Sequence, residues 1–226
     1  MYYYELYGLP GAGKTTIALQ VINCLKSQGY KVASYDDVFG SGIIDKKNWL
    51  KILFNFKMYK LYFYYLQLYC KCHKKERGFL KKLLYYSNNI LRISQGDNYD
   101  VMFLDEGIIQ FLSSLFYMED IPQNSDIKKI VHYLNNKIVM RPILCSVDMN
   151  VSLKRIKERP YKQTGRFSHS IGASVLEKAL KHKAYNLDVI SSYFPSHIEI
   201  DMIRPVIYNT DFLLSKIKHN INLSDR

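Results

Sequence analysis

The chain is 226 residues long, 26.6 kDa, with 48% hydrophobic residues, enough for one sizeable α/β core and short for two independent ones. It holds no run of about 18 uncharged apolar residues, and its first residues read as a strand instead of a basic-then-apolar leader, so the expected location is cytoplasmic, without a membrane partner. A net charge of +12 attracts polyanions, yet no RNA-recognition aromatic signature, zinc-finger spacing or heptad accompanies it, and a nucleic acid is the less favoured partner.

Tyr2 to Tyr7 is an aromatic, apolar run of strand length, and Gly8-Leu9-Pro10-Gly11-Ala12-Gly13-Lys14-Thr15 follows it, matching the phosphate-loop pattern G-x-x-x-x-G-K-[ST]. Its glycines let backbone N–H groups turn inward, and the helix that opens near Gly13 adds the positive end of its dipole. In such a loop Lys14 reaches the β- and γ-phosphates of ATP, Thr15 offers its hydroxyl to Mg2+, and Thr16 is placed for the α-phosphate. Apolar residues at helical spacing from Thr16 to Leu25 supply the helix that this architecture requires.

After a Gln28-Gly29 stop, Lys31 to Tyr35 reads as the second strand, ending at Asp36 and Asp37 on the edge where parallel sheets bind ligands. Either carboxylate could take the proton of an attacking hydroxyl or bind substrate, Asp37 being the preferred one; a solvated cap is the competing reading. Residues 43 to about 94 mix bulky aromatics with lysines and read as two or three inserted helices over the substrate side, with Arg77 or Arg92 available for an acidic group. For any one of these aromatics a place in the core of the helices is the better expectation. Within the insertion, Cys70-Lys71-Cys72-His73 lacks a second ligand pair at zinc spacing, so no metal is expected there.

Val101 to Leu104 is an apolar run that ends in Asp105-Glu106-Gly107, which reads as a buried parallel strand with Asp105 emerging beside the phosphate loop to serve Mg2+. Glu106 could polarise a nucleophile, bind substrate or cap the next helix. A helix from about Ser125 to Asn136 leads to a fourth strand, Pro142 to Asp148. Beyond it Arg155 and Arg159 share a helix face and Arg166 follows in a Gly-containing loop, an arrangement suited to a lid at about 155–170 that closes over a transferring phosphoryl group. A helix within 173–193, a strand from His197 to Asp201 and a last helix from Thr210 to Lys218 complete the chain.

This order resembles the nucleoside and nucleotide kinase superfamily of phosphate-loop proteins, nearest in layout to thymidylate kinases and deoxynucleoside kinases. The resemblance covers nearly the whole chain. It implies one domain over 1–226, a three-layer α/β fold with a parallel five-stranded sheet in the order 2-3-1-4-5, helices on both faces and a helical substrate-side insertion. It also implies Arg204, Pro205 and Val206 as neighbours of the adenine. Thymidylate kinases carry Asp-Arg-Tyr after the third strand and deoxynucleoside kinases Glu-Arg-Ser; Asp105-Glu106-Gly107 lacks that arginine. The expected activity is ATP- and Mg2+-dependent phosphoryl transfer to a nucleoside, nucleotide or related small acceptor, with a homodimer as the candidate assembly. A regulatory ATPase acting on a protein partner and a polynucleotide 5′-end kinase are the alternatives.

Overall fold

The computed structural model describes residues 1–40, 58–71, 79–96, 98–116, 118–121, 125–158, 172–194 and 196–224. Strands β1 (Tyr2–Gly8), β2 (Val32–Ala33), β3 (Val101–Leu104), β4 (Val139–Ser146) and β5 (Ile198–Asp201) form one sheet in the order β2-β3-β1-β4-β5. Every pairing is parallel, with Tyr2 opposite Val101 on one flank and Val139 on the other. The order is the expected one, and it places β1, which carries the phosphate loop, at the centre.

Helices cover both faces. On one side α1 (Lys14–Ser27) packs with the C-terminal helix Val206–Ser224 over Tyr4, Leu6, Val101, Phe103 and Ile143. On the other lie α2 (Tyr35–Phe39), α3 (Tyr59–Cys70), α4 (Phe79–Ser94), α5 (Ile108–Leu115), α6 (Ser125–Asn135), α7 (Met149–Lys157) and α8 (Ala173–Ser191); the C-terminal helix is α9. The alternation of β1 explains the division, because Tyr3 and Tyr7 enter the second layer while Tyr4 and Leu6 enter the first. Two tyrosines of the core find partners for their hydroxyls: Tyr4 accepts from Asn220 Nδ2 at 2.8 Å, and Tyr65 pairs with Ser87 at 2.7 Å.

Three boundaries differ from expectation. The second strand stops at Ala33, because Ser34 and Asp37 form a capping box and turn the chain into α2, so Asp36 and Asp37 occupy the first turn of a helix instead of a strand end. The fourth strand starts earlier, at Val139; β5 joins it only from Ile143, so at Pro142 one flank of β4 is unpaired, the setting in which a strand tolerates proline. The last helix begins directly after Pro205 and runs to Ser224. Among the described residues no helix is long and apolar enough to cross a membrane.

Candidate active site

The loop between β1 and α1 is built by three glycines at positive φ, Gly8 at 150°, Gly11 at 80° and Gly13 at 98°. At Gly8 a Cβ would stand 2.5 Å from the Cys145 carbonyl oxygen of β4, so the loop leaves the sheet at a point where only glycine fits. Two side chains of α7 hold the loop from behind. Ser152 Oγ donates to the Pro10 carbonyl at 2.6 Å, and Arg155 Nη1 donates to the Ala12 and Gly11 carbonyls at 3.2 and 3.4 Å. The same guanidinium reaches the Met202 carbonyl through Nη2 at 3.4 Å, tying the phosphate loop to the segment that follows β5.

Inside the loop, Lys14 Nζ donates to the carbonyls of Gly8 and Leu9 at 3.1 and 3.0 Å, which folds the buried side chain back across the loop it belongs to. Thr15 and Thr16 stand at the exposed start of α1. Thr15 Oγ1 donates to Asp105 Oδ2 at 2.6 Å, across 90 positions of sequence. β3 delivers Asp105 there because its four residues are buried between the helical layers and the chain emerges only at its C-terminal end.

An aromatic group is packed in the core within electrostatic reach of the Asp105-Glu106 turn. Tyr86 of α4 stacks on Phe111 of α5, with centroids 4.2 Å apart, and meets Phe39 edge-on at 4.1 Å. Its hydroxyl pairs with that of Tyr35 at 3.1 Å. Burial raises both phenol pKa values, and the negative charge of Glu106 raises each further, which places Glu106 within electrostatic reach of the pair. Asp37 is engaged differently. Its Oδ2 accepts from the Ser34 N–H at 2.8 Å and the Ser34 hydroxyl at 2.7 Å. Burial works to raise its pKa, but these bonds outweigh that and leave it lowered.

Arg204 and Pro205 lie in the exposed turn between β5 and α9. Arg204 sits 4.9 Å over the Tyr208 ring, beside a cavity of about 330 Å³ that Asp201 and Asn209 also line. Met202, from the same turn, reaches the phosphate loop, its Cε being 3.2 Å from where a Gly13 Cβ would be. Arg92 is an exposed residue of the last turn of α4. Arg77, Arg159, Arg166, Cys72 and His73 lie outside the described residues, as does most of the expected lid.

Sequence reasoning missed two residues of this neighbourhood. Glu5, in the middle of β1, is buried with its carboxylate against the start of α5, and Gln110 of α5 accepts the Gly8 N–H on its side-chain oxygen at 3.3 Å. The signal was a lone acid inside an otherwise apolar strand.

Searched by sequence, the chain matches no family model and no curated protein. Solved structures do match. Deoxyadenosine kinase from M. mycoides with bound dATP has a TM-score of 0.52 at 16% identity, over 96% of this chain and 99% of that one. The fold is that of a nucleoside-kinase-like P-loop protein. The same enzyme with bound dCTP gives a TM-score of 0.48 at 16% identity over the same shares. The P-loop kinase fold accounts for the central β1, for the loop at its C-terminal end and for Asp105 on the adjacent strand.

Proposed function

We propose that this chain is a P-loop kinase that moves the γ-phosphoryl group of ATP to a hydroxyl or phosphate of a nucleoside, nucleotide or related small acceptor. The observation that carries the reading is the meeting of Thr15 Oγ1 and Asp105 Oδ2 at the mouth of the glycine loop. An alcohol and a carboxylate are hard oxygen donors of the kind Mg2+ takes alongside water and phosphate oxygens, so the pair fits that ion. When bound, Mg2+ would neutralise charge on the β- and γ-phosphates.

The chain's own groups divide the remaining work. Lys14 exchanges its bonds to the Gly8 and Leu9 carbonyls for bonds to the β- and γ-phosphate oxygens, and the backbone N–H groups of residues 11 to 16 surround the phosphates. Glu106, which follows Asp105 at the end of β3, is the base in this reading. Its carboxylate takes the proton as the acceptor oxygen bonds to the γ-phosphorus, while the bond from that phosphorus to the β–γ bridging oxygen breaks and ADP leaves. Asp37 is the weaker candidate, because one of its oxygens already carries two bonds from Ser34. Arg159 and Arg166 take the charge of the transferring group, and Arg204 and Pro205 flank the adenine.

The test is ADP release from Mg-ATP with a panel of nucleosides, nucleotides, sugars and 5′-hydroxyl oligonucleotides. An acceptor that stimulates turnover and gains label from [γ-32P]ATP, with both lost in Lys14→Ala, is the expected outcome. Release of free phosphate with no dependence on any acceptor would reject the kinase reading in favour of an ATPase.

A further inference from the structure

Glu5 is a carboxylate in the core of an α/β sandwich, and burial of such a group is tolerated only where hydrogen bonds replace water. Here they do. Tyr3 Oη donates to Oε2 at 2.5 Å and the Gln110 N–H to Oε1 at 2.9 Å, and the amides of Gly107 and Ile109 also act on the carboxylate. These amides open α5, whose N-cap residue is Gly107 and has no side chain to cap with. Glu5 therefore caps from a neighbouring strand the helix that the acidic turn Asp105-Glu106-Gly107 leads into. The fit is close: a Cβ on Gly107 would stand 2.1 Å from Tyr3 Oη and 2.6 Å from the Glu5 carboxyl group.

Gln110 continues the path. Its backbone N–H is held by Glu5, its carbonyl by Lys183 Nζ at 3.2 Å and by the Ser113 and Ser114 hydroxyls at 2.9 and 2.8 Å. That leaves its side-chain oxygen aimed at the Gly8 N–H, the first amide of the phosphate loop. The Thr15 to Asp105 bond closes the circuit from the other end of the loop.

We infer that Glu5 and Gln110 are positioning residues, a buried bridge that fixes the acidic turn on the acceptor side relative to the phosphate loop on the donor side. The proposal rests on the kinase reading for its functional meaning, while the bridge itself is measurable without it. Gln110→Met keeps the backbone and the approximate volume of the side chain and removes its amide, and with it the acceptor for Gly8. Hydrogen exchange by mass spectrometry on the unliganded protein is expected to show a phosphate-loop peptide exchanging about fivefold faster in this variant, with the 108–115 peptide unchanged. Glu5→Gln, which disturbs the cap as well, is expected to speed both peptides. Mg-ADP titration calorimetry should then show affinity about threefold to tenfold weaker in Gln110→Met, the loss of one neutral hydrogen bond, with a melting temperature a few degrees lower because the buried Gly8 N–H loses its acceptor.

Parental exchange in the phosphate loop of Gln110→Met would overturn the bridge. A lower melting temperature with unaltered Mg-ADP affinity would overturn the positioning role and assign the pair to the core alone. Failure of the parent protein to bind Mg-ADP would overturn the kinase reading, and with it the functional role, while the exchange result still decides whether the bridge exists.

Discussion

At the scale of single residues, the site is a small number of side chains whose partners define their tests. If the chain is the proposed kinase, Lys14→Ala removes the cation that would bind the phosphates, and turnover is expected to fall by about 1000-fold or more while the fold, followed by circular dichroism, is kept. Asp105→Asn leaves Thr15 a neutral partner; kcat is expected to fall by about 100-fold, with the Mg2+ concentration needed for half-maximal rate raised, as a metal titration of the rate would show. Gly107→Ala tests the contact with β1. The added methyl group has no room beside Tyr3 Oη and the Glu5 carboxyl, so the variant is expected to lose about 3 kcal/mol or more in urea denaturation, and Tyr3→Phe introduced together with it should recover part of that loss. The phosphate-loop residues were legible because their spacing is a chemical signature. Glu5 and Gln110 were not, because their meaning lies in contacts made across about a hundred positions of sequence.

At the scale of elements, the phosphate-loop helix and Asp105 at the end of β3 could be read from hydrophobic runs and turn residues, while the sheet order followed from the resemblance to the kinase superfamily. The boundaries that failed did so for local reasons. Lys31 to Tyr35 looked like a strand of ordinary length, but Ser34 and Asp37 are three apart and cap each other, a short-range bond that wins once Ala33 has left the sheet. At Pro142 the rule that proline opens a strand hid the three residues before it, which pair with β1 alone. Ser34→Ala is expected to cost about 1 kcal/mol in chemical denaturation and, by removing a hydroxyl donor from Asp37, to raise the pKa of that carboxyl, which an NMR titration of labelled Asp would follow. Tyr65 and Tyr86 lie in the core, as expected for any one of these aromatics, while Tyr59 and Phe63 are exposed, and the stacking of Tyr86 on Phe111 needed the fold to bring α4 to α5.

For the whole molecule, two buried carboxyl groups pull the pH dependence of stability in opposite directions. Burial pushes the Glu5 pKa up to about 7, against the bonds from Tyr3 and the α5 amides. The folded state therefore holds a proton that the unfolded chain has released, and stability falls as pH rises from about 4.5 to about 7, by on the order of 3 kcal/mol. Asp126 behaves in the other sense: its bond with Lys71, helped by Lys129 and opposed by burial, lowers its pKa, so its contribution is complete at neutral pH and is lost as pH drops through the folded-state value. Urea denaturation of the parent and Glu5→Gln across pH 5 to 7.5 is expected to give a falling profile in the parent and a flatter one in the variant, and equal slopes would remove Glu5 as the cause.

The central position of β1 also bears on how the protein is made. Of the five strands β1 is made before the others, and its neighbours lie at residues 101–104 and 139–146, so the phosphate loop lacks its full scaffold until about 130 residues beyond Thr15 have been synthesised. At roughly 5–20 residues per second that is a delay on the order of ten seconds, and until β3 is made Tyr2 to Tyr7, an apolar run of high strand propensity, has no partner strand. Nascent chains arrested before residue 140 should accordingly be open to protease, and protection should appear in one step once β4 is outside the exit tunnel.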